Sequence, residues 1–269
     1  MSRDPRLAGG RRDYPQMAAM AGRVEPAPRR VSATLGGEQI FVTTRAIYVW
    51  ESPYYPQYYI PYQDVDRRFL VDEQHQRQLR LGSARRHGLR AGGQDRPGSV
   101  HVFGDDAAAA VAGAVRFDWD ALDAWFEEDE EVFVHPRNPY VRVDAMRSHR
   151  HVRVQVEGQV LAESANPVLV FETGLPTRYY FDRADVSTHV LVRSETRTAC
   201  PYKGVTGGYW SARVGDDEPR EEHRDIAWSY TFPTRQLLPI AGLIAFYNER
   251  VDTYLDDVEL GRPHTHFVR

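Results

Sequence analysis

The chain contains one stretch twice. Residues 31–65 read VSATLGGEQIFVTTRAIYVWESPYYPQYYIPYQDV, and residues 152–186 read VRVQVEGQVLAESANPVLVFETGLPTRYYFDRADV. A shift of 121 positions, the distance from Glu51 to Glu172, aligns the two without a gap. An ungapped match with a shared apolar pattern indicates a duplicated unit. Because there are only two copies, the sequence predicts a tandem pair of domains rather than a solenoid.

Both copies have the pattern of half-buried strands. Apolar and other residues alternate over 31–35 and again over 152–156, and a glycine-containing turn follows each run. A period of two is typical of strands with one buried face. We therefore expect a mainly β fold: two tandem domains of twisted antiparallel sheets, each with a short helix.

The match also suggests how the chain is divided. Residues 1–22 are rich in arginine, glycine, proline and alanine without a period, which favours a mobile tail. We expect the first β domain at residues 23–146 and the second at residues 147–269. A monomer is expected, because two copies in one chain can replace a homodimer of single domains.

Several segments carry more specific expectations. Residues 53–61 contain three prolines and are predicted to form an edge strand or a lid rather than a central strand. Residues 82–99 lack a hydrophobic period and are expected to form a loop. Apolar spacing predicts a capped helix over residues 118–126. The acidic run 127–131 is expected to be a solvated turn, and the segments that flank residues 135–139 are expected to pair as strands.

Composition excludes several classes of protein. The 269-residue chain has a formal net charge of −4, so no overall basic field would attract nucleic acid. No apolar run approaches the roughly 20 residues that span a bilayer. A single cysteine rules out an internal disulfide, and a reducing cytoplasm is the expected location. We expect no nucleic-acid partner, no membrane association and no cofactor.

The chain has one lysine, Lys203, against a background of arginine, and its one cysteine, Cys200, lies three residues earlier. Lys203 could be a fixed cation for a phosphate or carboxylate, or an amine that attacks a carbonyl. Cys200 could be a nucleophile if Lys203 lowered its pKa. The alternative is a tight turn, set by Pro201 and Gly204, in which the thiol only packs.

Six motifs together resemble the bacterial "domain of unknown function 427" family: Val49-Trp-Glu51, Tyr58-Tyr59, Asp64-Val65, Cys200-Pro-Tyr-Lys-Gly204, Trp228-Ser-Tyr230 and Phe246-Tyr247. The resemblance covers nearly all of residues 24–265. It implies a β-tent fold, in which two twisted antiparallel sheets meet at an angle, with a small-molecule pocket between them. Some labels of the family carry a nucleotidyltransferase name, but membership implies no particular activity. Because the first copy lacks the Cys-Pro-Tyr-Lys-Gly motif, we expect the site in the second copy.

The main hypothesis is a small-molecule-binding protein with its pocket around Lys203. The candidate ligand-binding residues are Glu172, Tyr179, Tyr180, Cys200, Tyr202, Lys203, Tyr209, Trp228 and Tyr230. Strand alternation allows only one of the two adjacent tyrosines to line a pocket, and packing in the core would explain most of these aromatic residues equally well.

Glu172 has a structural alternative, because a carboxylate on an apolar strand needs a buried partner such as an arginine or a tyrosine hydroxyl. Two further functional hypotheses stay open. One is an enzyme that uses Lys203 or Cys200, its only catalytic candidates, on a nucleotide or carbonyl substrate. The other is a protein-interaction module built on the tyrosine-rich residues 53–62. No metal site is expected, because the pairs His149/His151 and His264/His266 lack a third ligand nearby.

Overall fold

The computed structural model describes residues 21–215 and 218–265. The predicted tail at residues 1–22 lies almost entirely outside these residues. The chain divides into two compact units, of which the first ends at Asn138 and the second begins at Pro139. Among the residues described, no helix is both long enough and apolar enough to span a lipid bilayer.

The first unit consists of two antiparallel sheets. One has seven strands in the order β1-β4-β5-β9-β8-β7-β6, and the other has four in the order β11-β10-β2-β3. The strands are β1 (Val24–Pro26), β2 (Val31–Leu35), β3 (Glu38–Thr43), β4 (Ile47–Val49), β5 (Gln57–Pro61), β6 (Leu70–Leu79), β7 (Gly82–Ala91), β8 (Gln94–Phe103), β9 (Ala114–Phe117), β10 (Ala124–Glu127) and β11 (Glu130–Val132). Short 3-10 helices cover Tyr62–Asp64, Arg67–Phe69 and Trp119–Ala121.

The second unit repeats this arrangement. Its seven-stranded sheet has the order β12-β15-β16-β22-β21-β20-β17, and its four-stranded sheet has the order β14-β13-β23-β24. Among the residues described, β18 pairs only with β19. The strands are β12 (Val143–Arg147), β13 (Val152–Val156), β14 (Gln159–Ser164), β15 (Val168–Glu172), β16 (Arg178–Phe181), β17 (Leu191–Ser194), β18 (Ala199–Cys200), β19 (Gly204–Val205), β20 (Gly208–Ala212), β21 (Ala227–Ser229), β22 (Ile244–Phe246), β23 (Asp252–Leu255) and β24 (Val258–Leu260). Its 3-10 helices cover Arg183–Asp185, Thr188–Val190, Glu221–His223 and Arg235–Ile240.

The duplicated stretch adopts the same backbone in both units. The pairing of β2 with β3 and that of β13 with β14 each contain a bulge, and the two bulges lie 121 positions apart. Thr43 donates a hydrogen bond to Asp64 at 2.6 Å, and Ser164 donates one to Asp185 at the same distance. The predicted mainly β fold of two tandem halves is therefore confirmed, and the shared aspartate is explained: it accepts from the hydroxyl at the end of the preceding hairpin.

Each face of the second seven-stranded sheet buries its own apolar cluster. The inner cluster lies against the four-stranded sheet and includes Tyr179 and Phe181. The outer cluster includes Tyr180, Trp228 and the 3-10 helix Arg235–Ile240. Adjacent residues of β16 thus point to opposite faces, as strand geometry requires. Apolar side chains fill the space between the two sheets, where the family resemblance implied a pocket. The polar candidate residues do not lie in that space.

Two expectations for the first unit are wrong. The predicted loop 82–99 forms most of β7 and β8, two ten-residue strands of a long hairpin. The proline-rich segment 53–61 contributes β5, which lies between β4 and β9 and is not an edge strand. Pro56 and Pro61 fit because one precedes β5 and the other ends it. Tyr58 and Tyr59 are buried, so they are core residues and offer no docking surface.

The predicted helix 118–126 is also wrong. Only Trp119–Ala121 forms a 3-10 turn, and the strand β10 follows. Its tryptophans stack on each other, with the rings of Trp119 and Trp125 4.7 Å apart. In the acidic run, Glu127 is buried and accepts hydrogen bonds from the hydroxyls of Tyr48 and Tyr58. The flanks of residues 135–139 do not pair with each other, because β11 pairs with β10 and β12 with β15.

Candidate functional site

Residues 195–207 leave the second seven-stranded sheet between two paired strands. β17 and β20 pair from Leu191 with Ala212 to Ser194 with Tyr209. In the first unit the corresponding strands, β6 and β7, are joined directly by a tight turn. In the second, the chain forms the small hairpin β18–β19, whose turn carries the Cys-Pro-Tyr-Lys-Gly motif. We call residues 195–207 the excursion.

Hydrogen bonds hold the excursion in place. The hydroxyl of Thr206 accepts from the backbone N–H of Thr198 at 2.9 Å and donates to its carbonyl at 3.0 Å. The N–H of Thr234 donates to the carbonyl of Lys203 at 3.1 Å, and the Thr234 hydroxyl donates to the carbonyl of Tyr202 at 2.5 Å. Gly204 has φ +94°, a conformation that glycine adopts without strain. The position of Lys203 is therefore fixed by its backbone.

Lys203 donates a hydrogen bond to Glu172 of β15 in an ion pair removed from solvent. The amine nitrogen also lies 3.9 Å from the sulfur of Cys200. Glu172 follows the buried strand residues Val168 and Val170 on the same face, so alternation directs its carboxylate to the outer cluster. The structure thus brings together the single lysine, the single cysteine and the duplicated glutamate. Pairing of this kind is what a buried charge requires.

The pKa shifts describe the charge states of this group. Burial alone would lower the pKa of Lys203, but the negative charges that Cys200 and Glu172 carry when ionised raise it above its ordinary value. Lys203 is therefore a cation at neutral pH and not a free amine nucleophile. Burial raises the pKa of the Cys200 thiol, although Lys203 opposes the shift. In this state Cys200 is a thiol rather than a thiolate.

Aromatic side chains with polar ends lie on the same face of the sheet as the ion pair. The indole N–H of Trp228 donates to the hydroxyl of Tyr180 at 3.2 Å. The hydroxyl of Tyr209 lies 2.8 Å from that of Thr198 and 3.2 Å from that of Tyr247. Burial raises the pKa of Tyr180 to about 12, so its hydroxyl stays protonated and available as a donor.

Sequence reasoning missed a second charged pair on this face. Arg178 donates to both carboxylate oxygens of Glu249, at 2.6 and 2.7 Å, and its guanidinium lies 5.8 Å from the ring of Trp228 and 5.6 Å from that of Tyr247. Planar bidentate pairing and stacking on aromatic rings are properties of arginine that lysine lacks. Tyr247 belongs to the motif Phe246-Tyr247, and no spacing in the sequence connects Arg178 with it.

The candidate residues fall into two groups. Most lie on the outer face or on the excursion: Glu172, Tyr180, Cys200, Tyr202, Lys203, Tyr209, Trp228 and Tyr230. Tyr179 points to the opposite face and packs in the inner cluster, so it does not belong to this site. The burial of Tyr230 raises its pKa, and the ionised form of Cys200 would raise it further, which places the two side chains close together.

Comparison with known proteins agrees with the duplicated architecture. The profile of the domain of unknown function (DUF427) matches residues 23–128 and 144–257. The chain belongs to this family. The two DUF427 segments begin 121 positions apart, the same interval that aligns the repeated stretch. None of the curated proteins compared with the chain matches it.

The two DUF427 units pair the repeated glutamate with different cations. In the first unit Glu51 accepts from the guanidinium of Arg116 at 2.9 Å and from the hydroxyl of Tyr59 at 2.8 Å. Arg116 also pairs with Asp118. The expected structural role of the carboxylate, pairing with an arginine and a tyrosine, is therefore what Glu51 has, while Glu172 pairs with Lys203.

The cation that pairs with the repeated glutamate differs between the two units in its position in the fold as well as in its residue type. β9 pairs with β5 in the first DUF427 unit as β22 pairs with β16 in the second, and these registers place Arg116 at the position of Ala245. An alanine there leaves room above the sheet that a long arginine fills in the other unit. The cation of the second unit comes instead from the excursion, beside a thiol.

Proposed function

We propose that the second unit binds a small, uncharged polar molecule at the ion pair of Lys203 and Glu172. The observation that carries the proposal is the convergence of Lys203, Glu172 and Cys200 with the hydroxyl of Tyr180. Few polar groups within an aromatic wall are typical of small-molecule sites.

Charge balance favours a neutral ligand. Lys203 is already compensated by Glu172, so an anion would meet a carboxylate and a cation would meet an ammonium group. A carbonyl compound that also carries an N–H or O–H group, such as an amide, fits both partners. Its oxygen would accept from Lys203, and its hydrogen would be donated to Glu172.

The surroundings of the motif supply a route of access. Cys200 and Tyr202 are partly exposed, although Lys203 next to them is buried. Phe232 is 87% exposed, and its carbonyl lies beside Gly204 in the turn. A ligand that approached at Cys200 would cover apolar surface at this point, which adds a hydrophobic contribution to the polar contacts.

The test is a screen of neutral ring-containing amides and ureas by ligand-observed NMR. The decisive variant is the double substitution Glu172→Gln with Lys203→Met, because it removes both charges and leaves neither one buried without a partner. The matched control is Arg116→Met in the first unit, which also unpairs a repeated glutamate. We expect hits that the double variant loses and the control retains. Hits that bind the double variant equally well would refute the assigned site.

A second candidate function is an enzyme with Cys200 as nucleophile. It is favoured by the 3.9 Å distance from the Cys200 sulfur to the Lys203 nitrogen, because a lysine ammonium can stabilise a thiolate. The raised pKa of the thiol speaks against it in the resting state. Incubation with an aryl thioester or activated amide, followed by mass spectrometry of the intact chain, tests it: a covalent adduct is expected on the wild type and none on Cys200→Ser. An unmodified wild-type chain would exclude this candidate.

A further inference from the structure

His223 and Glu157 meet at the far end of the four-stranded sheet of the second unit. Glu157 occupies the turn between β13 and β14, with φ +47°. His223 ends the 3-10 helix Glu221–His223, in the loop before β21. The imidazole Nε2 lies 3.5 Å from the Glu157 carboxylate.

His223 is an unusual member of this loop because it is buried. Only 4% of the residue is exposed, and its Nδ1 has no hydrogen-bond partner among the described residues. A buried polar group without a partner costs free energy. The other ring nitrogen, Nε2, is directed at the carboxylate of Glu157, whose side chain is 44% exposed.

Glu222 completes a group of three side chains. One ligand atom from each of Glu157, Glu222 and His223 lies within 4.8 Å of the others. Two ligand atoms of a tetrahedral zinc site, each about 2.0–2.1 Å from the metal, are about 3.3–3.4 Å apart. The 3.5 Å separation of the His223 nitrogen and the Glu157 oxygen is close to this value. We propose that Glu157, Glu222 and His223 bind a divalent cation of the zinc class.

The charges and donor types favour this cation. The two carboxylates bring two negative charges, and Arg220 partly offsets them: it donates to Glu157 at 2.9 and 3.1 Å and lies 3.4 Å from Glu222. The remaining negative charge attracts a dication. One imidazole with two carboxylates is a ligand set that zinc accepts, with a water as the fourth ligand, whereas calcium and magnesium prefer oxygen alone. Arg220 competes with the metal for the same oxygens.

The histidine pairs singled out in the sequence offer a control. His151 contacts Glu163 at 2.9 Å and Asp257 at 3.6 Å, but its imidazole is exposed and already paired. His149 bonds to Asn166, and His266 lies outside the described residues. His151 is therefore the matched histidine: it has two carboxylate neighbours but lacks the burial and the unpartnered nitrogen of His223.

The experiment is titration of the untagged full chain with Zn²⁺ by calorimetry and with Co²⁺ by visible absorption. A Cys200→Ser background excludes binding by the thiol. We expect one equivalent of metal and the absorption of a tetrahedral Co²⁺ complex. Glu222→Gln, at an exposed position that cannot impair folding severely, should weaken Zn²⁺ binding by more than about tenfold, because even loss of an outer-shell partner costs about 10–100-fold.

Two further variants make the assignment specific. Arg220→Gln should tighten Zn²⁺ binding, because it removes a competing cation. If Arg220 had only a structural role, this substitution would not tighten the binding. His151→Ala should leave the affinity unchanged. The proposal is overturned if no metal binds, if Glu222→Gln binds as tightly as the parent, or if His151→Ala abolishes the binding.

Discussion

Lys203 and Glu172 form an ion pair in which only 9% and 10% of the two side chains are exposed. Removal of one member of a buried pair leaves an uncompensated charge and costs about 3–5 kcal/mol, whereas replacement of both is often close to neutral. We therefore expect Lys203→Met to lower the free energy of unfolding by about 3 kcal/mol. The double variant with Glu172→Gln should recover most of this loss. Urea denaturation followed by tryptophan fluorescence measures both, and equal losses in the single and double variants would contradict the assigned pairing.

The reactivity of Cys200 should respond in opposite directions to its two charged neighbours. Lys203 lowers the pKa of the thiol and Glu172 raises it. Alkylation by iodoacetamide at pH 8 depends on the thiolate fraction. It should be slower in Lys203→Met and faster in Glu172→Gln than in the wild type, when the rate is followed by mass spectrometry. The same direction of change in both variants would show that access, and not charge, controls the rate.

Acid should weaken the pair of Glu249 with Arg178. Burial raises the pKa of Glu249, but the hydrogen bonds and charge of Arg178 outweigh it and leave the pKa below its ordinary value. A carboxylate with a lowered pKa in the folded state contributes its full stabilisation at pH values above its pKa in the unfolded state, about 4.3. This stabilisation is lost as the pH falls through the pKa of the folded state. The stability difference between wild type and Glu249→Gln should therefore be constant near neutral pH and shrink below about pH 4.3. A stability difference that grows on acidification would contradict the lowered pKa of Glu249.

The repeated hydroxyl–aspartate bond predicts matched effects in the two units. Thr43→Val and Ser164→Ala each remove a donor to a partly buried carboxylate, and the backbone N–H two residues later loses its acceptor. A hydrogen bond to a charged group contributes about 1.5–3 kcal/mol. We expect each variant to lose about 1.5 kcal/mol in urea denaturation. An effect in only one unit would mean that the shared geometry is not a shared source of stability.

The sequence alone was sufficient for the duplicated core. Period-two alternation and the interval from Glu51 to Glu172 are local signals, and they predicted the opening strands of both copies. The rarity of Lys203 and Cys200 drew attention to residues 200–204, because composition is visible without a structure. Strand alternation also predicted correctly that only one of the adjacent residues Tyr179 and Tyr180 can face the candidate site, and that residue is Tyr180.

The rest depended on contacts that no local pattern encodes. β7 reads as a loop because its arginines and glycines carry no apolar period, and it is a strand because β6 and β8 pair with it on both sides. Glu127 belongs to an acidic run, yet it is buried because Tyr48 of β4, Tyr58 of β5 and Arg29, which precedes β2, all pair with its carboxylate. Arg178 and the contact of His223 with Glu157 were missed for the same reason: Glu249 and Glu157 lie far away along the chain.

The excursion interrupts a pair of strands that are hydrogen-bonded up to the residues where it leaves and returns. A short turn could therefore join Ser194 to Gly208 with the seven-stranded sheet intact, as the first unit demonstrates with its own tight connection. The polar centre is in this sense detachable from its scaffold. Changes confined to residues 195–207 could therefore add, remove or replace the chemistry of the site during evolution, while the fold of the sheet stays the same.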